Sequence, residues 1–508
     1  MTHIKIPAAL VAASVVAALP ALSAVKLASP FADGMVLQRD AKVAVWGTAD
    51  AGEGVSVSFA GQKVATKAGE DGRWLVRLAP MAASKEGRTL TANEVEVKDV
   101  LVGEVWFCCG QSNTELPLVG QSPHFRDREG LLFAAISNFK YIRYAYASNY
   151  KWSETPRDMA KYQVSWKTFT PENLGGKPSF SAMGVYFAVA LYNALDVPVG
   201  IVGSYWGGTS IDPWTPREGY EGAPESLRYT FDYPVVPADK WTAECKKGPV
   251  RAAHQQPTVL WNEMVAPWCP MAMKGFIWYQ GCSNGGESEA VNYCDKMHAL
   301  YNGWSKKFEN PGLKLYFIQL APFSKSWWTI QMQQAKFADE EKNAGMVVSA
   351  DVGNNFDIHP ADKGPLGRRL AALALNRDYG FSRVVADSPS FRSARTEGDT
   401  LVLSFDHADG WYVYNADWKV SVPFEIAGED GEFKPAALVN IKEGVKRSNG
   451  TISKPSGEVE GKELVLKAEG VAAPVKVRYL YSRPWNGNVF AASGLPLGPF
   501  EASVQKRQ

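Results

Sequence analysis

Residues 103–118 read GEVWFCCGQSNTELPL, and the break inside them decides the fold. From Val100 to Cys108 the chain is a nearly continuous apolar run, as a buried strand requires. It stops at Gly110-Gln-Ser-Asn113, where small and polar residues take over. A serine just past the C-terminal end of a strand sits on a turn, with its hydroxyl exposed and backbone N–H groups close by. That is where enzymes built on α/β sheets present a nucleophile. The Gly-x-Ser-x-Gly elbow is absent, and taken alone the stretch also fits an ordinary turn serine.

Outward from this stretch, strands and helices alternate. Residues 180–195 carry apolar side chains at helical spacing and lead into a strand-like run at 197–202. Apolar strands follow at 275–279, 315–320 and 346–350, with helices predicted over 287–306 and 363–375. Alternation of this kind implies a parallel sheet flanked by helices, an α/β core over 101–385. Residues 215–256 lack periodicity and read as a long excursion over the edge of the site. Residues 25–100 hold short alternating strands with turns at Asp50-Ala-Gly and Asp71-Gly72, which predicts a β-sandwich domain. Strands return over 386–508, at 401–405, 411–414, 463–467 and 475–481, as a second β-rich region.

Three further segments read GSYWGGTSIDPW (203–214), KGFIWYQGCSN (274–284) and NNFDIHPADKGPLGRR (354–369). With GQSN, and in this order, they resemble the sialate O-acetylesterase family of SGNH-type hydrolases, whose motifs look like GQSNM, GGT, WYQGESN and a late D-x-H-P. The resemblance extends to Asp33–Arg39 and Gly494–Phe500, nearly the whole chain after its first residues. It implies an SGNH-hydrolase-like sheet between β-sandwich-like regions. The activity implied is that of a serine carbohydrate esterase removing O-acetyl groups, with O-acetylated sialic acid as the substrate. Acetylxylan or another acetylated polysaccharide is the alternative substrate. A degenerate glycan-binding protein and a lipid or thioester hydrolase are the readings from other classes.

The resemblance assigns Ser112 as nucleophile and His359 as base. His359 is the one among six histidines that falls just after the last strand of the core, followed by the stiffening Pro360. Asp357 is the expected orienter of the imidazole, although many SGNH enzymes place the aspartate three residues before the histidine, where this chain has Phe356. Asp351 is the alternative. The oxyanion hole is expected from the Ser112 N–H, the glycines Gly207 and Gly208, and the side-chain amide of Gln280 or Asn284. Gln111, Trp278, Trp327 and Trp328 are the candidate substrate contacts, the last two as a sugar platform on a loop. Two departures from the family pattern stand out. Thr114 replaces the methionine of GQSNM. Cys109 and Cys282 occupy the serine and glutamate positions of Ser-Gly-Gln-Ser-Asn and Gln-Gly-Glu-Ser-Asn, and so form a candidate disulfide, with two unrelated buried thiols as the alternative.

The remaining properties bound the answer. With 46% hydrophobic residues, 21% charged residues and a net charge of +1, the chain is ordinary globular protein without a basic surface, so nucleic-acid binding is not expected. Lys5, the alanine-rich apolar run 6–22 and Ala21-Leu-Ser-Ala24 read as a secretory signal over residues 1–24, which predicts a secreted or periplasmic protein with no membrane span after signal removal. Seventeen tryptophans and 20 tyrosines suit both β cores and sugar stacking. Neither a C-x-x-C zinc pattern nor H-E-x-x-H is present, so no metal and no cofactor are expected. The oligomeric state is open.

Overall fold

The structure is a computed structural model and describes residues 25–120, 125–147, 151–157, 164–175, 179–227, 253–354, 356–414, 422–442, 457–481 and 486–504. The predicted signal segment, His124, Cys245 and most of the 215–256 excursion lie outside the described residues. No described helix is long and apolar enough to cross a membrane.

The protein is mixed α/β with several sheets. Its centre is a run of strands in the order β3-β2-β4-β1-β5-β6-β7, namely β1 (Val95–Gly110), β2 (Phe139–Tyr146), β3 (Trp166–Phe169), β4 (Val199–Tyr205), β5 (Gly275–Tyr279), β6 (Lys314–Ile318) and β7 (Ala344–Val347). All neighbours pair in parallel except the edge strand β3. The continuous apolar runs have their cause here. β4, β5 and the second half of β1 are buried residue after residue because both faces of the sheet are covered.

Alternating side chains of these strands meet two different helical layers. Trp106 and Cys108 point to α2 (Ala182–Leu195), where Trp106 meets Phe187 edge-on and Cys108 lies against Gly184. Helix α5 (Gly364–Asp378) packs on the same side, its Gly367 against Met183 and Tyr186. Phe107, Phe276 and Phe317 point the other way, to Trp304 of α3 (Tyr293–Lys307) and Phe337 of α4 (Trp328–Glu340). Helix α2 starts cleanly because the Ser181 side chain accepts the Gly184 N–H, and it stops where Asp196 turns left-handed at φ +53°.

Strand β1 is 16 residues long, and its first half belongs to the N-terminal β region. There it pairs with Ser84–Ala92 and Val36–Gln38. One apolar core therefore runs from Val25 through the central sheet. A mostly-sheet C-terminal region follows, with a seven-stranded antiparallel sheet and its own core around Leu403, Phe424 and Tyr479. Its loop at 486–487 reaches back to the core. The Gly487 N–H donates to the Ala350 carbonyl and the Asn486 amide to the Gly353 carbonyl, at 2.7 and 2.9 Å. The chain around Trp327-Trp328, expected as a loop, instead opens α4.

Candidate active site

Strand β1 ends at Gly110, whose φ of +141° turns the chain so that Ser112 begins the short helix α1 (Ser112–Glu115). A Cβ at Gly110 would lie 2.3 Å from the Tyr279 carbonyl oxygen of β5, so only glycine lets the turn sit this low on the sheet. Thr114, which replaces the methionine of the family pattern, is fully buried. Its hydroxyl lies 3.0 Å from both the Cys109 and Tyr279 carbonyls, so it ties α1 to the ends of β1 and β5.

The loop between β7 and α5 brings His359 to this serine. His359 Nε2 is 2.9 Å from Ser112 Oγ. On the other side of the ring, Nδ1 is 3.3 Å from Asp357 Oδ1, which also accepts the His359 backbone N–H at 2.9 Å. The two-residue spacing thus lets one carboxylate oxygen hold both the backbone and the ring. Asp351, the alternative orienter, is occupied by a bidentate pair with Arg369 at 2.8 and 2.7 Å. With Nδ1–H facing the carboxylate, Nε2 is free to accept the serine proton. Burial holds the imidazole below its usual value of 6.5, opposed by Asp357 and aided by the charge of Lys363.

Sequence reasoning passed over the parts that keep the two loops together. Asn113 donates its amide to the Ile358 carbonyl at 3.1 Å, and its Oδ1 accepts from Lys363 Nζ at 2.6 Å. Lys363 is completely buried, and desolvation pushes its ammonium down to about 7. The Cys282 thiol, where the family pattern has a glutamate, is itself pushed up to about 11 by burial and supplies no compensating charge at neutral pH. Asp127 accepts the Lys363 N–H at 2.9 Å, and the Arg128 N–H donates to the Ala361 carbonyl. Asn113 follows the serine directly in GQSN, so its position was the signal available.

The expected oxyanion donors fare differently. Gly207 lies against Ser112, and its N–H donates to Glu115 Oε2 at 2.6 Å, so this donor is already engaged beside Ser112. Gly208 is left-handed at φ +75° and gives its carbonyl to Gln255. Gln280 and Asn284 are buried and turned inward. The Gln280 amide donates to Gln111 Oε1, Thr209 O and Asn284 Oδ1, while the Asn284 amide meets Glu289. Both brace the GGTS loop from behind rather than face Ser112.

Two of the expected substrate contacts are likewise internal. Gln111 is 2% exposed, and its Oε1 gathers the N–H groups of Gly281 and Ser283 as well as the Gln280 amide. Trp278 is fully buried against Trp214. Trp327 is buried over Gly285 and stacks on Phe323, whereas Trp328 is half-buried beside Tyr481. Phe323, Trp328 and Tyr481 line a cavity of about 120 Å³ that also takes in Lys325. Trp206, at the end of β4, stacks on His254 at 4.9 Å next to the glycine pair.

Cys109 and Cys282 are free thiols. Cys109 shares a sheet face with Ser204 and Trp278, the face toward α3, because side chains alternate along β1. Cys282 lies past the end of β5 against Asn113, on the Lys363 side. The expected bridge would have to cross the sheet.

A family described as carbohydrate esterase, sialic acid-specific acetylesterase, matches residues 102–376. The sialate O-acetylesterase of Rattus norvegicus is 28% identical over 417 residues, covering 72% of this chain and 75% of the relative. That of Homo sapiens is 27% identical over 403 residues, covering 72% and 73%. The crystal structure of a carbohydrate acetylesterase from Xanthomonas citri is 30% identical with a TM-score of 0.77, covering 95% of this chain and all of that one.

The buried lysine gives a signature in the pH profile. A base must be neutral to act, and His359 lies below 6.5, so the acid limb of kcat/KM is expected to have its midpoint below 6.5. Lys363, at about 7, is largely charged in that range and depresses the imidazole. Lys363→Met should therefore move the midpoint upward and, by loosening Asn113, lower kcat by about 10- to 100-fold. An unchanged limb with unchanged kcat would show that the lysine has no part in setting the site.

Proposed function

We infer the reaction from one premise: the chain belongs to the carbohydrate esterase family of sialic acid-specific acetylesterases. It is a carboxylic ester hydrolase, and the substrate we propose is O-acetylated sialic acid. The names of its relatives support that choice of sugar. The observation that carries the mechanism is the 2.9 Å contact of Ser112 Oγ with His359 Nε2, with Asp357 on the far nitrogen.

In the proposed cycle the Ser112 oxygen attacks the acetyl carbonyl while His359 takes its proton. The negative charge that develops on the carbonyl oxygen meets the Ser112 N–H at the start of α1 and the Gly207 N–H. The latter donates to Glu115 Oε2 at 2.6 Å in the free site, so the Glu115 side chain must turn away as the carbonyl oxygen takes its place. Collapse breaks the bond from the acetyl carbon to the sugar oxygen, which takes the proton from His359 and leaves as the hydroxyl. Water then attacks the acetyl-serine with His359 again as base, and acetate leaves. Asp357 holds the imidazole in the useful tautomer and stabilises its charged form. Being about one-third exposed, it acts in a screened setting.

Acetate release tests this reading, with O-acetylated sialic acid and acetylated xylan as parallel substrates. The sialic ester should be the better substrate. Ser112→Ala should lower kcat by about 10³-fold or more, and Asp357→Asn by less. Release that persists at full rate in Ser112→Ala excludes the serine mechanism, and preference for xylan moves the substrate to plant polysaccharide.

The leader-like segment 1–24 supports export of the enzyme to the periplasm or the medium, where glycans are met. The exported protein should then begin at Val25 in an N-terminal mass measurement, and a protein that keeps Met1 contradicts export.

A further inference from the structure

On the face of the sheet opposite α5, two helices bring together three side chains that the esterase chemistry does not use. Cys294 and His298 are one turn apart on α3, so they share a helix face. Glu340, near the end of α4, reaches between them. Its Oε2 is 3.3 Å from Cys294 Sγ and 3.0 Å from His298 Nε2. All three ligand atoms lie within 4.8 Å of one another. The absence of a zinc motif in the sequence therefore does not extend to the fold, since two of the ligands are on one helix and the third is 42 residues further along.

We propose that Cys294, His298 and Glu340 form a binding site for Zn²⁺ or a similar borderline-soft divalent ion, with water completing the coordination. The donor set decides the class. One thiolate, one imidazole and one carboxylate suit Zn²⁺ and Co²⁺, whereas Mg²⁺ and Ca²⁺ favour oxygen ligands alone. Metal–ligand lengths of about 2.0 Å to nitrogen and oxygen and 2.3 Å to sulfur place tetrahedral ligand atoms roughly 3.3–3.6 Å apart. The two distances to Glu340 Oε2 are within a few tenths of an ångström of that spacing, and Cys294 Sγ and His298 Nε2 lie within 4.8 Å of each other.

Burial is graded as a three-ligand site needs. Cys294 is 1% exposed, while His298 and Glu340 are partly open to solvent, which leaves a path for the ion and room for water. The His298 ring is steadied edge-on by Phe337 at 4.8 Å. Glu340 Oε2 takes both the His298 and the Cys294 contacts, at 3.0 and 3.3 Å. The other charged groups facing the trio are Lys336 and Asp295. Lys336 Nζ is 3.4 Å from Glu340 Oε1, on an exposed stem that can turn to solvent when a cation arrives.

Without metal, the Cys294 thiol faces Glu340 Oε2 at 3.3 Å. Coordination replaces the S–H proton with the metal–sulfur bond and releases that proton to solvent, so affinity should rise with pH. The consequence for the fold is a clamp between α3 and α4.

Co²⁺ titration of the EDTA-treated full-length enzyme tests the site, because a cobalt–thiolate bond adds a charge-transfer band in the near ultraviolet. The wild type should show that band saturating at one equivalent, reversed by added Zn²⁺. Cys294→Ser should abolish it, and His298→Ala should weaken binding by about 10-fold or more. Circular dichroism and esterase activity of the variants check that each is folded. A wild type with no thiolate band, or a band that survives in folded Cys294→Ser, overturns the proposal.

Discussion

The structure depends on one hydrogen bond between groups 247 residues apart, from Ser112 Oγ to His359 Nε2. The turn at Gly110 sets the serine low on the sheet, where α1 can lie across the ends of β1 and β5. Asn113 then reaches the carbonyl of Ile358, the residue before the histidine, and Lys363 fixes Asn113. Asp127 and Arg128 clamp the same loop from the other side, and the C-terminal region adds two hydrogen bonds to residues 350 and 353. The remote β region therefore contributes to the site through the backbone it steadies.

Around this contact the protein uses buried polar groups where an apolar core would be cheaper. Gln111, Gln280 and Asn284 exchange hydrogen bonds among themselves and with the GGTS loop. Lys296 of α3, fully buried, pairs with Asp212 at 3.1 Å and with Glu289, which ties the DPW turn to the helix. Such pairs add little net stability, yet removing one partner costs about 3–5 kcal/mol because a charge is left buried alone. Their effect is geometric, since each fixes the direction of a loop at the sheet edge that carries Ser112. Lys363 is the extreme case, an ammonium in the core that donates to the neutral amide of Asn113.

Much of this was legible in the chain. Apolar runs that end in GQSN, GGTS, QGCSN and DIHP mark four loops at one edge of a parallel sheet, and the histidine and serine among them do meet. The direction of a side chain beyond the end of a strand was not legible. Gln280 and Asn284 stand beside the right strand yet turn inward, their amides donating to Gln111, Thr209 and Glu289. The period of two along β1 separates Cys108 and Cys109 onto opposite faces, which is why the expected bridge to Cys282 does not form. Helix α4 was hidden because its buried face mixes Ile330 and Phe337 with Gln331 and Gln334, which blurs the apolar period. Glu340 could not be joined to Cys294 and His298 before the fold brought α4 beside α3.

The central claim is that Ser112, activated by His359, is the nucleophile, and covalent trapping tests it most directly. The purified enzyme would be treated with diethyl p-nitrophenyl phosphate and its peptides mapped by mass spectrometry. One diethylphosphoryl group on the peptide bearing Ser112, formed at a rate that collapses in His359→Ala, is the predicted result. An unmodified Ser112 in an enzyme that is nonetheless inactivated, or labelling that is indifferent to His359, would contradict it.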